Sequence, residues 1–494
     1  MLFNSVSFLV FFPLVTVLYF LLDHRYRWIL LLGASYYFYM CWRPEYVLLI
    51  LLSTGIDYVA ARGMGRVTTQ RARQGLLGMS LAGNLGTLFG FKYFTFFGES
   101  VQAVFDAANM FYDVPVFQLA LPVGISFYTF QSMSYTIDVY RGERAPERHF
   151  GIFALYVSFF PQLVAGPIER SQHLLPQFVR EHTFQYDRVV DGLKLMLWGL
   201  FKKVVIADRL AVYVDTVYDQ PGEYYGLTVL LATYFFAVQI YCDFSGYSDM
   251  AIGAAKVFGF DLMENFRRPY FSKSIGEFWR RWHISLSTWF RDYVYIPLGG
   301  NQVAKRRWLA NLLIVFVVSG LWHGANWTFI VWGGLHGLYL IIGILTVSLR
   351  ARWWTVVHWS SASGYGLSAR LWGGTFPEMG KRFVQIVVTF HLVCFAWIFF
   401  RAGSIGDAGL LIQNLFSGTS TGLLLPTVGA RELVLSLGVI GILVGMHLFE
   451  RRGDMRRVLA THPLWVRSTV YAGLLLGVML LGQFESQQFI YFQF

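Results

Sequence analysis

The chain has 494 residues, of which 14% are charged, 55% hydrophobic and 18% aromatic. Soluble domains carry about 25% charged residues, so a soluble protein of this composition would need a very large core under too few surface charges. The net charge of +11 sits in short basic clusters between apolar runs, which is how a membrane protein sets its orientation and not how a nucleic-acid module is built.

The first apolar run, Ser5 to Leu22, has no basic stretch before it and no small-residue cleavage site after it. It reads as a retained helix and not a removed signal. Trp28 to Trp42 and Tyr46 to Ala61 follow, separated by Arg43-Pro44-Glu45, and then Arg62, Arg66, Arg71 and Arg73 form a basic loop. Basic loops favour the cytoplasmic side. Counting back through three spans puts the N-terminus outside and the Asp23–Arg27 turn inside. Further spans are expected at Gly75 to Phe97, Phe117 to Val139, Phe150 to Val164, Val189 to Ile206 and Gly226 to Phe260. Beyond a Trp308–Leu349 pair come Phe383 to Phe400, Leu433 to Phe449 and Ser468 to Leu481. Breaks at Pro122, Pro161, Pro167 and Gly246 are tolerable only where the freed backbone groups face protein or a water-filled cavity. The expectation is an all-α, polytopic transmembrane protein of about ten to twelve spans plus re-entrant or interfacial helices. Residues 1–494 read as one membrane-embedded domain, without repeat, low-complexity tract or domain boundary.

The run from Trp308 to Leu349 is too long for one crossing and fits two, since about 20 apolar residues span the hydrocarbon core. Lys305-Arg306-Arg307 precede it and Arg350 and Arg352 follow it, so both ends should face the cytoplasm. Within it lies Trp322-His323-Gly324-Ala325-Asn326-Trp327. A helix rising from Trp308 reaches Trp322 after roughly 22 Å, which leaves His323 inside the membrane. An ionisable residue there is a functional hypothesis by default. Gly324 removes bulk beside the imidazole, Asn326 shares a helix face with it if the helix continues, and Trp322 and Trp327 are placed to line a pocket.

Two other segments carry polar chemistry. Asp243 and Asp249 lie in the apolar stretch Tyr241 to Asp249, where a carboxylate costs several kcal/mol unless it finds partners. They either hold helices together or handle substrate. Phe278-Trp-Arg-Arg-Trp-His-Ile-Ser-Leu-Ser-Thr-Trp289 is wrong for a lipid-facing span and fits an interfacial or re-entrant helix. There Arg280, Arg281 and Arg291 either anchor the chain or meet a phosphorylated donor, and His283 is the second histidine of interest. Other chemistries are weakly represented. Cys41, Cys242 and Cys394 are widely spaced and read as buried free thiols with no implied metal. There is no nucleophile elbow, P-loop or dinucleotide fingerprint. His182 to Asp187 matches a short His-x4-Asp pattern without supporting blocks.

Taken together, several blocks resemble the membrane-bound O-acyltransferase family. Within it they resemble the bacterial alginate O-acetyltransferase subgroup, related to the teichoic-acid D-alanylating transferase. They are Leu121-Pro-Val-Gly-Ile-Ser-Phe-Tyr-Thr-Phe-Gln131, Ile137-Asp-Val-Tyr-Arg-Gly142 and Pro161-Gln-Leu-Val-Ala-Gly-Pro167. Then come Asp243-Phe-Ser-Gly-Tyr-Ser-Asp-Met-Ala-Ile-Gly253, Met263-Glu-Asn-Phe266, Glu277 to Ser287, Gly320 to Trp327, and Trp397-Ile-Phe-Phe-Arg-Ala402. The resemblance implies helices around a funnel in the bacterial inner membrane, with His323 as the essential histidine and His283 as the second signature histidine. It implies no bound cofactor and an acyl thioester such as acetyl-CoA as donor. It also implies periplasmic acetyltransferase or export proteins as partners, working on an extracellular, alginate-like polysaccharide. A polysaccharide or lipid transporter, or a structural subunit of an export complex, are the rival readings.

The topology is directly testable. Single cysteines placed in the Arg62–Arg73 loop and the Lys305–Arg307 turn of a cysteine-free variant should resist a membrane-impermeant thiol reagent in intact cells and react in inverted vesicles. Labelling of either turn from outside would overturn the orientation.

Overall fold

The computed structural model describes residues 1–110, 121–164, 166–349, 376–417, 422–425, 427–450, 455–484 and 489–490. Arg350 and Arg352, the beginning of the expected Phe117–Val139 span, and Ala165 lie outside the described residues. In lipid the backbone must satisfy its own hydrogen bonds, which leaves helices or closed barrels. The described chain takes the first solution: helices with short connections, and one isolated bridge between Leu425 and Val428. Six of these helices are long and apolar enough to cross a membrane: Pro44–Met64, Leu227–Phe258, Trp327–Leu345, Glu378–Arg401, Ala430–Phe449 and Leu464–Leu481. The protein is a multi-pass integral membrane protein.

Other expected spans take shorter or altered forms. Phe150–Ser158 and Phe160–Leu163 are separate helices divided at Phe159, with Pro161 in the first turn of the second, where its missing N–H has no partner to lose. Tyr186–Phe201 runs into a π-helical turn, Lys202–Ala207, and then into Asp208–Tyr218. The expected break at Gly246 does not occur, because Leu227–Phe258 is one continuous helix. Phe278 to Trp289 is not one helix either; it divides into Ile275–Trp279 and Ile284–Phe290, with His283 between them in a left-handed conformation, φ +42°. Cys242 and Cys394 are buried as expected for small apolar side chains, but Cys41 is exposed at a helix end.

The chain groups into two compact units. One comprises Met1–Arg209, Gln239–Glu264 and Leu435–Phe494, the other Leu210–Val238 and Asn265–Val434. Each gathers segments far apart in sequence, so no single point along the chain divides them, and no linker composition marks a division.

The first unit is organised by a close helix crossing. A methyl group added at Gly246 would sit 2.7 Å from the carbonyl oxygen of Gly199, and one at Gly253 would sit 2.6 Å from that of Gly192. Glycines seven residues apart on each helix therefore let the two backbones touch, the small-residue contact that membrane helices use for packing. That approach brings cations to carboxylates. Lys203 Nζ lies 2.6 Å from Asp243 and 2.8 Å from Asp208, and Lys202 Nζ lies 2.8 Å from both Asp249 and Ser245 Oγ. The other Asp243 oxygen accepts from Ile490 N at 2.7 Å, and Phe489 packs on Tyr247 at 4.4 Å between ring centroids. Another buried carboxylate, Asp57, accepts from Asn84 Nδ2 at 2.8 and 2.9 Å and from the Ser80 hydroxyl. Three neighbouring helices share that knot, because Ser80 Oγ also bonds Thr136 Oγ1 at 2.9 Å.

In the second unit, helices Lys305–His323 and Trp327–Leu345 form a tight hairpin. A methyl at Gly320 would lie 2.2 Å from the carbonyl oxygen of Phe329, and one at Gly333 would lie 2.2 Å from that of Phe316.

Lys203→Met leaves two buried carboxylates without their cation, a change that costs about 3–5 kcal/mol. Its melting temperature in detergent should fall well below wild type. Adding Asp208→Asn and Asp243→Asn should recover part of the loss. An unchanged melting curve for Lys203→Met would show that these charges are solvated.

Candidate active site

His323 is the last residue of its helix, and 2% of its surface is exposed. The helix stops there because Gly324 adopts an extended backbone and the chain turns into the next helix. The space at Gly324 is needed by the ring of Phe329, which would lie 2.1 Å from a methyl group at that position. Phe329 in turn packs on Phe400 at 4.9 Å, and Phe400 reaches the His323 ring at 5.4 Å. So Gly324 shapes the wall of the site through Phe329, where the sequence suggested relief beside the imidazole itself.

Aromatic rings enclose the histidine. Trp322 lies 5.0 Å from it and Trp332 4.9 Å, both near perpendicular to the imidazole. Trp332 also stacks on Trp397 at 5.7 Å. The ring of His283 lies 6.5 Å from that of His323 and 6.1 Å from Trp322, and His283 is fully buried. Its Nδ1 is 3.1 Å from Asn265 Oδ1. Two histidines 40 residues apart in sequence thus share one aromatic chamber. Rings of this kind exclude water while their edges and faces suit both an acyl chain and an imidazole that changes charge.

A cavity of about 370 Å³ lies beside them, within the range of small-molecule sites. Its walls are mostly apolar and include Trp279, Leu286, Phe290, Leu312 and Phe316. Its wall includes Ser319, one helical turn before His323, and Ile284, next to His283 in sequence, while neither imidazole is itself a lining group. Arg280 and Arg291 are exposed and line the same cavity, and Arg291 is paired through Nε with Asp292 Oδ1 at 2.7 Å. Trp279 is held in place by donating its indole N–H to His336 Nδ1 at 3.2 Å. Tyr295, another lining residue, accepts from Trp308 Nε1 at 2.8 Å near the Lys305 end of the hairpin.

The remaining expected site residues are placed differently. Asn326 does not share a helix face with His323, because the helix ends between them. Its Oδ1 caps the following helix through Thr328 N at 3.0 Å, and its Nδ2 donates to Gly403 O at 3.0 Å. Trp327 is 55% exposed and is not a chamber wall. Arg281 is paired with Glu277 at 2.6 Å, four residues back on the same turn. Asp243 and Asp249 belong to the first unit, where they pair with Lys203 and Lys202 as described. Their geometry fits the reading in which carboxylates hold helices together. Sequence reasoning gave no role to Trp332, Asn265 or His336, although His336 shares with His323 the position of an ionisable side chain in the apolar run. Trp332 lies in the hairpin just beyond the Trp322–Trp327 segment that drew notice, and Asn265 lay within a matching block without a role attached.

Comparison with known proteins settles the family. Residues 148–377 match the membrane-bound O-acyltransferase family. The chain is 40% identical to a probable alginate O-acetylase of Pseudomonas aeruginosa over 84% of its own length and 75% of that protein. The chain belongs to the membrane-bound O-acyltransferase family. It is also 32% identical to a peptidoglycan O-acetyltransferase of Helicobacter pylori, over 94% and 91% of the two lengths. A teichoic acid D-alanyltransferase of Bacillus subtilis is 27% identical over 56% of this chain and 68% of that protein. Membership makes the chain an O-acyltransferase, and the transporter and structural-subunit readings fall away.

For this O-acyltransferase, Gly324→Ala should cut acyl transfer sharply at normal protein level, because its methyl collides with Phe329. Phe329→Ala in the same chain opens the space and should restore part of the activity. Full activity of Gly324→Ala, measured in isolated membranes, would show that the wall yields at no cost.

Proposed function

We propose that this O-acyltransferase moves an acetyl group from a thioester donor, acetyl-CoA or a related acyl thioester, onto a hydroxyl for O-acetylation of an extracellular polysaccharide. In this reading it works in the bacterial inner membrane, with donor arriving from the cytoplasmic face and acceptor from the other. Periplasmic acetyltransferase or export proteins complete delivery to the polymer. The observation that carries the proposal is the buried pair His283 and His323, with ring centroids 6.5 Å apart, in the same unit as an apolar cavity whose wall includes Ile284, Ser319, Arg280 and Arg291.

The chemistry follows from the parts. A hydroxyl becomes a competent nucleophile when a base takes its proton during attack, and an imidazole with an ordinary pKa near ~6.5 suits that task. The hydroxyl oxygen attacks the thioester carbonyl as its proton passes to His323. Collapse of the tetrahedral adduct breaks the carbon–sulfur bond, and the departing thiolate takes the proton back. The apolar cavity accepts the thioester arm and keeps water from competing as nucleophile. Arg280 and Arg291, exposed beside it, hold the donor's phosphates by charge-assisted hydrogen bonds. The relatives' names, an alginate O-acetylase and a peptidoglycan O-acetyltransferase, support acetyl as the group and a surface glycan as the class of acceptor.

His323→Ala should abolish acetylation of secreted polymer while protein level stays normal, a loss on the order of 10²-fold or more. In oriented proteoliposomes, transfer should require acetyl-CoA on the face bearing Lys305–Arg307 and acceptor on the opposite face. Wild-type acetylation by a well-expressed His323→Ala variant would end the catalytic assignment, and equal activity with both substrates on the outer face would end the through-membrane route.

A further inference from the structure

Asn265 is wholly buried and clasps the segment that carries His283. Its backbone carbonyl accepts from Ile284 N at 3.0 Å. Its side-chain oxygen gathers three donors: Ser285 N at 3.2 Å, Ser285 Oγ at 3.0 Å and His283 Nδ1 at 3.1 Å. An amide's oxygen and nitrogen are told apart by their partners. Here the backbone decides, because the N–H of Ser285 can only donate, so the atom facing it is oxygen. A carbonyl oxygen cannot donate, so the Nδ1 of His283 opposite it carries the proton. A neutral imidazole has one N–H, which leaves Nε2, on the far edge of the ring, with its lone pair. The same clasp holds His283 at φ +42°, a left-handed conformation that side chains with a Cβ adopt only when their surroundings impose it.

We infer that Asn265 is a positioning residue of the active site, which locks His283 in the tautomer whose Nε2 accepts a hydrogen bond from the incoming hydroxyl. The inference rests on the O-acetyl-transfer reading given above. A hydroxyl that donates to Nε2 keeps its oxygen lone pairs for the thioester carbonyl. With the other tautomer, His283 would donate to that oxygen and blunt it. The two histidines then divide the work: His283 orients the hydroxyl, and His323 takes its proton as the new bond forms. Asn265 touches no substrate and acts through His283 alone.

The test uses membranes holding the full chain, periplasmic extract of the same host to supply the delivery proteins, radiolabelled acetyl-CoA, and the host's own de-acetylated exopolysaccharide as acceptor. Asn265→Leu should lower turnover by about 10- to 100-fold, the scale of loss when the orienting partner of a metal-bound histidine is removed, with KM for acetyl-CoA unchanged. Asn265→Asp keeps an acceptor oxygen opposite Nδ1 and should retain most of the activity. Combining Asn265→Leu with His283→Ala should cost no more than His283→Ala alone. A fully active Asn265→Leu overturns the inference, as does an additive loss in the double variant or an inactive but folded Asn265→Asp. If Asn265→Leu does not fold, the activity of folded Asn265→Asp decides alone. Wild-type membranes that transfer no acetyl would instead sink the functional reading on which the inference stands.

Discussion

A lipid bilayer offers no water to a buried polar group, and this architecture follows from that shortage. Every cation, carboxylate or amide placed at depth needs a partner from the protein, since leaving one unmet costs several kcal/mol. Lys202 and Lys203 meet Asp249, Asp243 and Asp208, while Asp57 meets Ser80 and Asn84. Side chains have fixed reach, so the backbones that carry them must come close. Glycines at 199 and 246, and at 192 and 253, give that approach. The packing of the first unit and its polar pairs are therefore one solution to one constraint.

The same shortage of water makes the histidine chamber chemically useful. In a low-dielectric enclosure a dipole or ring nitrogen aimed at a reacting atom acts more strongly than it does in water. Trp322, Trp332 and Phe400 build the enclosure around His323, and the glycine contact of the hairpin seats Trp332 against it. The cavity next to the chamber has a different character, with apolar walls and exposed guanidinium groups of Arg280 and Arg291.

Much of this was legible along the chain. His323 stood out because an ionisable residue interrupts an apolar run at a depth that length alone sets. The family blocks pointed to His283 by likeness, although 40 residues separate the two rings. Local geometry was harder to read. Asn326 looked like a helical neighbour of His323, yet Gly324 ends the helix and turns Asn326 into a cap. Gly246 looked like a break, yet the helix runs through it because the missing side chain serves a neighbouring backbone. Trp327 looked like a wall because aromatic type was visible and direction was not.

What the sequence by itself determined is the class and the chemistry. Apolar length sets the spans, basic clusters set an expected orientation, and ordered motifs set the family and single out a histidine within it. These signals are local in the chain, so they survive without coordinates. Only the tertiary structure decided which polar residues meet. It paired Asp243 and Asp249 with lysines 40 and 47 residues earlier, placed Trp332 and Phe400 around His323, and set Asn265 on the Nδ1 of His283. Such partnerships depend on helix crossing and side-chain direction, which residue type does not encode, and in a membrane they determine whether a charge is structural or reactive.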